Sequence, residues 1–402
     1  MKLIQREFYL QKIINVINTH SIKVVTGVRR SGKSILLESF KNYLIKNDKK
    51  ANIIYVKLDL PKNEYLLTKT ALYAYITSNW IKGKNNYVLI DEIQECKDFE
   101  KLIVGIFEEE KYDIYITGSN AFLLSSDLAT LFTGRTCQIP ISPFSFKEMV
   151  EYYGYKDNFD KALKQYIDFG GFAGGFLYKE AAEKYNYIKN EIYSPILYRD
   201  ILQRYHIKNV NIIKSISKFL ISNVGNTTNA LPITNYLNVN NKKITNKTTI
   251  EYIDHLTDSF LFAQVNRYDL IGKKYLSSDN KFYLCDHAIK YAVNGTKNRD
   301  LGGIYENIVY WELIRRGYDV YVGKFKNTEI DFYCQNGDDV LYVQVCVNIN
   351  DEKTFQREIR SLLSIDDNYE KIIITNLFCQ KELQHKGIKI FNLVDWLLNN
   401  VK

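Results

Sequence analysis

The stretch VVTGVRRSGKSILL, residues 24–37, constrains this chain more than any other part of it. An apolar run leads into Gly-x-x-x-x-Gly-Lys-Ser, from Gly27 to Ser34, and a helical pattern follows. Glycines at 27 and 32 allow a turn tight enough for backbone N–H groups to face phosphate oxygens, and the following helix adds its positive end. Strand, loop and helix in this order predict a site for ATP with Mg2+. Lys33 is expected at the β and γ phosphates and Ser34 on the metal, with Arg30, Ser31, Gly32 and Ile35 completing the phosphate cradle. Arg29 and Arg30 both lie inside the loop, either touching phosphate or lining its rim.

The loop sits in a segment where short apolar runs alternate with helical stretches. IKVVTG, NIIYVKLD, YVLIDE and DIYITGS read as buried strands, with SILLESFKNYLIKN and TALYAYITSNWI among the helices between them. That alternation predicts an α/β domain with a parallel sheet covered on both faces. YVLIDE ends in Asp91 and Glu92: Asp91 suits the magnesium and Glu92 suits polarising the attacking water. DIYITGSN offers Thr117, Ser119 and Asn120 as sensors of the γ-phosphate, and the residue pattern does not choose among them. Arg135, in LFTGRTCQIP, is a candidate to stabilise transition-state charge, in its own subunit or a neighbour's.

Beyond residue 145 the pattern changes three times. FKEMVEYYGY, DKALKQYIDF and EKYNYIKNEIYSPILYRDILQRY look helical, broken by GGFAGG. Next come helices at NVNIIKSISKFLISNVG, ITNYLN and NKTTIEYIDHLTDSF, then two strand-like runs, FLFAQVNRYD and KFYLCD, flanking the polar IGKKYLSSDN. Three helices and a hairpin is the order of a winged helix-turn-helix. Last, the helix YENIVYWELIRRG precedes the strands DVYVGK, EIDFYCQ, VLYVQVCVN and KIIITN. The expected division is an ATPase core at 1–145, a helical subdomain at 146–205, a winged-helix region at 206–300 and a final α/β domain at 301–402.

Charge is placed unevenly. Residues 201–300 carry 14 Lys and Arg against 7 Asp and Glu, while the other 302 residues hold 40 against 39. A local basic surplus is the footprint expected of a polyanion-binding module. In a recognition helix at 246–258, Lys247, Thr248, Glu251, Tyr252 and His255 would face outward, but Glu251 and Asp254 would repel a phosphate backbone. Lys242, Lys243, Lys273 and Lys274 on loops and wing favour backbone contact over base reading. The amino terminus lacks the apolar core of a signal peptide, and no stretch approaches the ~20 apolar residues of a membrane span. Six scattered cysteines form no CxxC pair, so the expectation is a reducing cytoplasm and no zinc.

TGVRRSGKS, VLIDEIQ, ITGSNAFLL, the GR followed by ISPFSFKE, the GGF segment, and YENIVYWELIRRGYDV with EIDF occur in that order along the chain. Together they resemble prokaryotic AAA-type P-loop ATPases with a C-terminal DUF4143 domain, over nearly the whole sequence. The resemblance implies a P-loop ATPase core, a winged-helix region and a C-terminal restriction-endonuclease-like fold. Lys33, Ser34, Asp91, Glu92 and Arg135 match the family's ATPase motifs by position. The sequence departs from it at GGFAGGF, where a proline after GGF is expected.

Restriction-type nucleases need an Asp on one strand, Glu-x-Lys on the next and often a Glu on the preceding helix. Here Glu306 and Asp331 are present, but Gln344 and Cys346 stand where Glu and Lys should be. An amide is a poor substitute for a carboxylate and a thiol for an ammonium, so a nuclease-like fold without nuclease activity is expected. Two functions follow: an ATPase coupling hydrolysis to domain movement on or near DNA, or an ATP-dependent switch that binds a protein partner. Whether Arg135 acts in trans would separate an oligomer from a monomer.

Overall fold

The computed structural model describes residues 6–118, 134–296, 300–347, 352–376 and 383–399. They fall into two compact units, one running up to Pro143 and the other from Phe144 onward, apart from the short stretch 258–260.

The first unit is built on five strands: β1 (Ile22–Thr26), β2 (Ala51–Lys57), β3 (Asn85–Asp91), β4 (Asp113–Thr117) and β5 (Thr136–Pro140). All pair in parallel, in the order β2-β3-β4-β1-β5. Successive side chains on a strand point to opposite faces, and the strands are apolar at both parities because both faces are covered. Ile22, Val24, Val88, Ile90, Ile114 and Ile116 pack on one side with α3 (Lys69–Ser78) and α4 (Phe99–Glu108). Val25, Leu89 and Tyr115 pack on the other with α1 (Glu7–Ile14) and α2 (Lys33–Asn47). β5 and α1 were not expected from the sequence. TCQIP is short and polar at alternate positions, and α1, at 8 residues, is barely two helical turns long.

The second unit opens with α5 (Phe146–Tyr153) and α6 (Phe159–Phe169). The SFKE of the sequence motif is a capping box: Ser145 Oγ accepts from the Glu148 N–H, and the Glu148 carboxylate accepts from the Ser145 N–H. GGF is a docking point rather than a ligand loop. Gly170 has φ +65°, and a Cβ there would lie 1.9 Å from Asp286 Oδ1. The next N–H, of Gly171, donates to Asp286 Oδ2 at 2.6 Å.

After α7 (Ala181–Tyr187) come α8 (Val210–Ser222), α9 (Ala230–Val239) and α10 (Asn246–Asp258), then the hairpin β6 (Phe262–Asp269) and β7 (Lys274–Leu284). The element order is the expected one, but the hairpin is not. Most of the segment expected to be a loop, 271–280, is strand, because Asp269 Oδ1 accepts from the N–H groups of Ile271 and Gly272 and closes a tight turn. Nor is the hairpin a free-standing wing. β6 pairs in parallel with β8 (Asp319–Phe325), Arg267 opposite Val322. After α11 (Ala288–Asn294) and α12 (Leu301–Arg315), the chain adds β9 (Thr328–Asn336), β10 (Asp339–Cys346), α13 (Glu352–Leu363), β11 (Glu370–Thr375), β12 (Leu383–His385), β13 (Ile388–Asn392) and α14 (Leu393–Leu398). One eight-stranded sheet results, β12-β13-β11-β10-β9-β8-β6-β7. A division at 300/301 would therefore part β6 and β7 from the other six strands of a single sheet.

Candidate functional site

β1 ends at Thr26 and the chain turns at Gly27, whose φ is +143°. A Cβ there would lie 2.2 Å from the Ile141 carbonyl oxygen, so only glycine lets β5 and the residues after it close against the loop. Arg30 is left-handed at φ +66° and Gly32 at +98°, and Gly32 caps α2 with no side-chain bond to the first N–H groups. Lys33 is buried, and its ammonium donates to the carbonyls of Gly27 at 2.8 Å and Val28 at 3.1 Å. Ser31 Oγ is buried without a hydrogen-bond partner. Ile35 is exposed, one residue into the helix beyond Ser34.

β4 lies between β1 and β3, and this order assembles the rest of the site. Asp91, at the end of β3, is 1 % exposed. Its Oδ1 accepts from Ser34 Oγ at 3.1 Å and from Thr117 Oγ1 at 2.5 Å. Burial pushes the Asp91 carboxyl up, while the two hydroxyls pull it back down. Thr117 Oγ1 also accepts from the Glu92 N–H at 3.1 Å. Glu92 is left-handed, at φ +55°, and its carboxylate accepts from the Gln94 amide. Thr117, fully buried, thus braces the acidic pair from behind. Ser119 and Asn120 lie outside the described residues.

Within its own chain, Arg135 is not brought to this site. β5 runs parallel to β1 with Thr136 opposite Ile22, so Arg135 stands at the far end of the strand from Gly27. Five residues of strand separate them by about 16 Å. Its guanidinium instead pairs with Glu108 at 3.0 Å, both half-exposed.

Arg6 was missed by sequence reasoning. It is buried, donates to the Ser31 carbonyl at 2.8 Å and to the Pro143 carbonyl at 3.4 Å, and stacks 4.4 Å from the Tyr9 ring centre. The only signal was an arginine in the charged and aromatic stretch REFY.

The loop, the acidic pair and the strand order define an AAA-type P-loop nucleotide-binding domain. Residues 19–150 match the family described as AAA domain, and residues 160–300 match the Domain of unknown function (DUF8612). An uncharacterized protein of Haemophilus influenzae is 36% identical over 98% of this chain and 99% of its own length. One from Methanocaldococcus jannaschii is 31% identical over 93% and 86%. This chain belongs to the same family as these two proteins. The second matched family corrects the DUF4143 expectation: a different domain is recognised, and it covers the helices and hairpin. Among solved structures, AMPPCP-bound DnaA from Aquifex aeolicus is 14% identical with a TM-score of 0.30, covering 62% of this chain and 86% of that one. So slight a likeness carries no argument about function. Among the described residues, no helix is long and apolar enough to cross a membrane.

The second unit holds a cleft of about 600 Å³ lined by Glu306, Glu329, Asp331, Gln344, Cys346 and Glu358, among others. The sequence supplied no lysine here, but β7 does. Lys281 Nζ lies 3.0 Å from Glu306, 3.1 Å from Glu329 and 3.2 Å from Asp331. Burial works against that ammonium, but Tyr283 and the three carboxylates outweigh it and hold its pKa well above the ordinary value. Three carboxylates crowd one cation, and burial, then Asp331, push the Glu306 carboxyl up to about 8. Gln344 is a bridge. It accepts from the Asp331 N–H at 3.3 Å and donates to Glu358 at 2.7 Å, a pair of roles no carboxylate could fill. Among the described residues, no group of three His, Cys, Asp or Glu side chains is placed to hold a metal ion.

Lys281 also changes the reading of the basic segment. It counts toward the surplus of 201–300 but is neutralised internally by acids beyond 300, and Lys290 pairs with Asp300. Lys243, Lys247, Lys273 and Lys274 remain exposed, while Lys242 is half-buried and donates to Ser215. His255 does not face outward: it stacks on Tyr205 with ring centres 3.6 Å apart.

Proposed function

We propose that this protein is a Mg-dependent ATPase. The observation that carries the reading is the shared carboxylate of Asp91, which joins the P-loop serine to the end of β4 and stands next to Glu92. The residues fit the nucleotide and metal. Ser31 offers a buried, unpaired hydroxyl at the loop, the first N–H groups of α2 carry no side-chain cap, and Ser34 and Asp91 supply the hard oxygen donors that magnesium takes. Gly27, Arg30, Ser31, Gly32, Lys33 and Ser34 would hold the phosphates, and Ser34 and Asp91 the metal. Bound magnesium supplies charge neutralisation at the phosphates. Lys33 would exchange the Gly27 and Val28 carbonyls for phosphate oxygens. Glu92 would orient the attacking water, with its backbone fixed by Thr117.

ATP turnover would then move the second unit, near DNA. Support for DNA comes from exposed Lys243, Lys247, Lys273 and Lys274; support for a silent nuclease-like cleft comes from Gln344, an amide where a second metal-binding carboxylate is needed. The test is ATP hydrolysis by wild type and Glu92→Gln, with and without single-stranded, duplex and branched DNA. Hydrolysis that DNA stimulates and Glu92→Gln abolishes is expected; no hydrolysis under any condition would refute the enzyme reading. The Glu92–Gln94 bond favours a second reading, a slow switch whose glutamate is held by its neighbour and whose partner is a protein. In that case Gln94→Ala raises the basal rate, and DNA changes nothing.

A further inference from the structure

We propose that Arg6 is a positioning residue of the nucleotide site, aiming the Gly32 N–H at phosphate; this rests on the ATP reading above. Across a trans peptide the C=O and the next N–H point in opposite directions. Arg6 donates to the Ser31 carbonyl at 2.8 Å, so the Gly32 N–H of the same peptide is held pointing away from the guanidinium. The same guanidinium reaches the Pro143 carbonyl, beyond β5, and lies over Tyr9, whose hydroxyl accepts from the Ser142 N–H. Chain on both sides of the P-loop therefore anchors this one peptide plane. Gly32 adds a second sign of the arrangement: its φ of +98° brings the position of a Cβ to 3.9 Å from the Arg6 guanidinium.

Two cations hold the loop's carbonyls, and they have different fates. Lys33 holds Gly27 and Val28, but its ammonium must leave them to reach phosphate. Arg6 binds the Ser31 carbonyl from a different segment of the chain and would still hold it once Lys33 has moved. Its loss is felt more with nucleotide bound than without, so it weakens affinity more than it weakens the fold. A lysine at position 6 supplies a compact ammonium on a shorter reach, not the planar guanidinium fork that holds the Ser31 and Pro143 carbonyls while lying over Tyr9.

The experiment compares full-length wild type, Arg6→Ala and Arg6→Lys by equilibrium binding of Mg-ATP, steady-state hydrolysis and urea unfolding without nucleotide. For Arg6→Ala, we expect Kd and KM to rise about 10- to 100-fold with a smaller fall in kcat, as for loss of a charged hydrogen bond. Arg6→Lys should recover part of that loss. Unchanged affinity in Arg6→Ala would overturn the proposal, as would a loss matched in full by the fraction unfolded. If Arg6→Ala does not fold, Arg6→Lys decides alone: wild-type affinity refutes the role of the fork. Wild type that fails to bind Mg-ATP refutes the ATP reading itself, a separate outcome.

Discussion

Replacing Thr117 with valine keeps the shape of a fully buried side chain and removes only its hydroxyl. That hydroxyl donates to Asp91 at 2.5 Å and accepts from the Glu92 N–H at 3.1 Å. Losing a bond to a carboxylate costs about 1.5–3 kcal/mol, and stranding a partly buried N–H adds about 1 kcal/mol more. The expected loss of stability is therefore about 2–4 kcal/mol, tempered because Asp91 keeps its bond from Ser34. Catalysis suffers separately. Glu92 is held left-handed at φ +55°, a conformation that costs about 1–2 kcal/mol and that the Thr117 bond helps to offset. Freed to relax, it loses its aim, and kcat should fall about tenfold or more. Urea unfolding without nucleotide measures the first effect and saturating-ATP hydrolysis the second. Thr117→Ser, which can make both bonds, should retain most of each. Valine with stability within about 0.5 kcal/mol of wild type and an unchanged kcat would refute the bracing role.

Gly27→Ala should abolish the thermal stabilisation conferred by Mg-ATP, because its methyl group would lie 2.2 Å from a backbone oxygen at a φ of +143°; a wild-type shift in Tm would contradict that contact. Lys281→Met leaves Glu306, Glu329 and Asp331 facing one another and should cost about 3–5 kcal/mol in urea unfolding. Adding Glu306→Gln to it should restore part of that loss, and simple additivity would argue against one shared cluster. Glu306 also sets a pH dependence. Its folded pKa is raised from 4.5 to about 8, so the native state holds a proton the unfolded chain releases, and the second unit should lose stability as pH climbs from about 5 through about 8. Glu306→Gln should flatten that slope, and a urea midpoint that rises over this range would have the wrong sign.

Much of the nucleotide site could be read in advance because its parts are local. A turn that needs glycine, a lysine and a serine occupy eight consecutive residues, and the acidic pair closes an apolar strand. What escaped depends on contacts between distant segments. Arg6 reaches its carbonyls across 25 and 137 residues, and no periodicity marks it. Arg135 looked suitable because it follows β4 closely, but the parallel register of β5 carries it to the opposite end of the sheet. The cleft of the second unit was judged from adjacent strands, where Glu-x-Lys is missing, while its ammonium arrives from β7, 50 residues before Asp331. The hairpin was misjudged for a simpler reason: KKYLSSDN is polar, and polar residues on an edge strand read as a loop.

The continuous sheet from β12 to β7 governs how this chain can be taken apart in the laboratory. A fragment ending near residue 300 would keep β6 and β7 but discard β8, baring the backbone of Arg267, Tyr268 and Asp269 to any strand in solution. It would also strip Lys281 of all three carboxylates. A cut at Pro143 crosses no strand, and each sheet stays whole on its own side. Fragments made at that seam should be soluble and those made at 300 should aggregate, whatever the second unit turns out to bind.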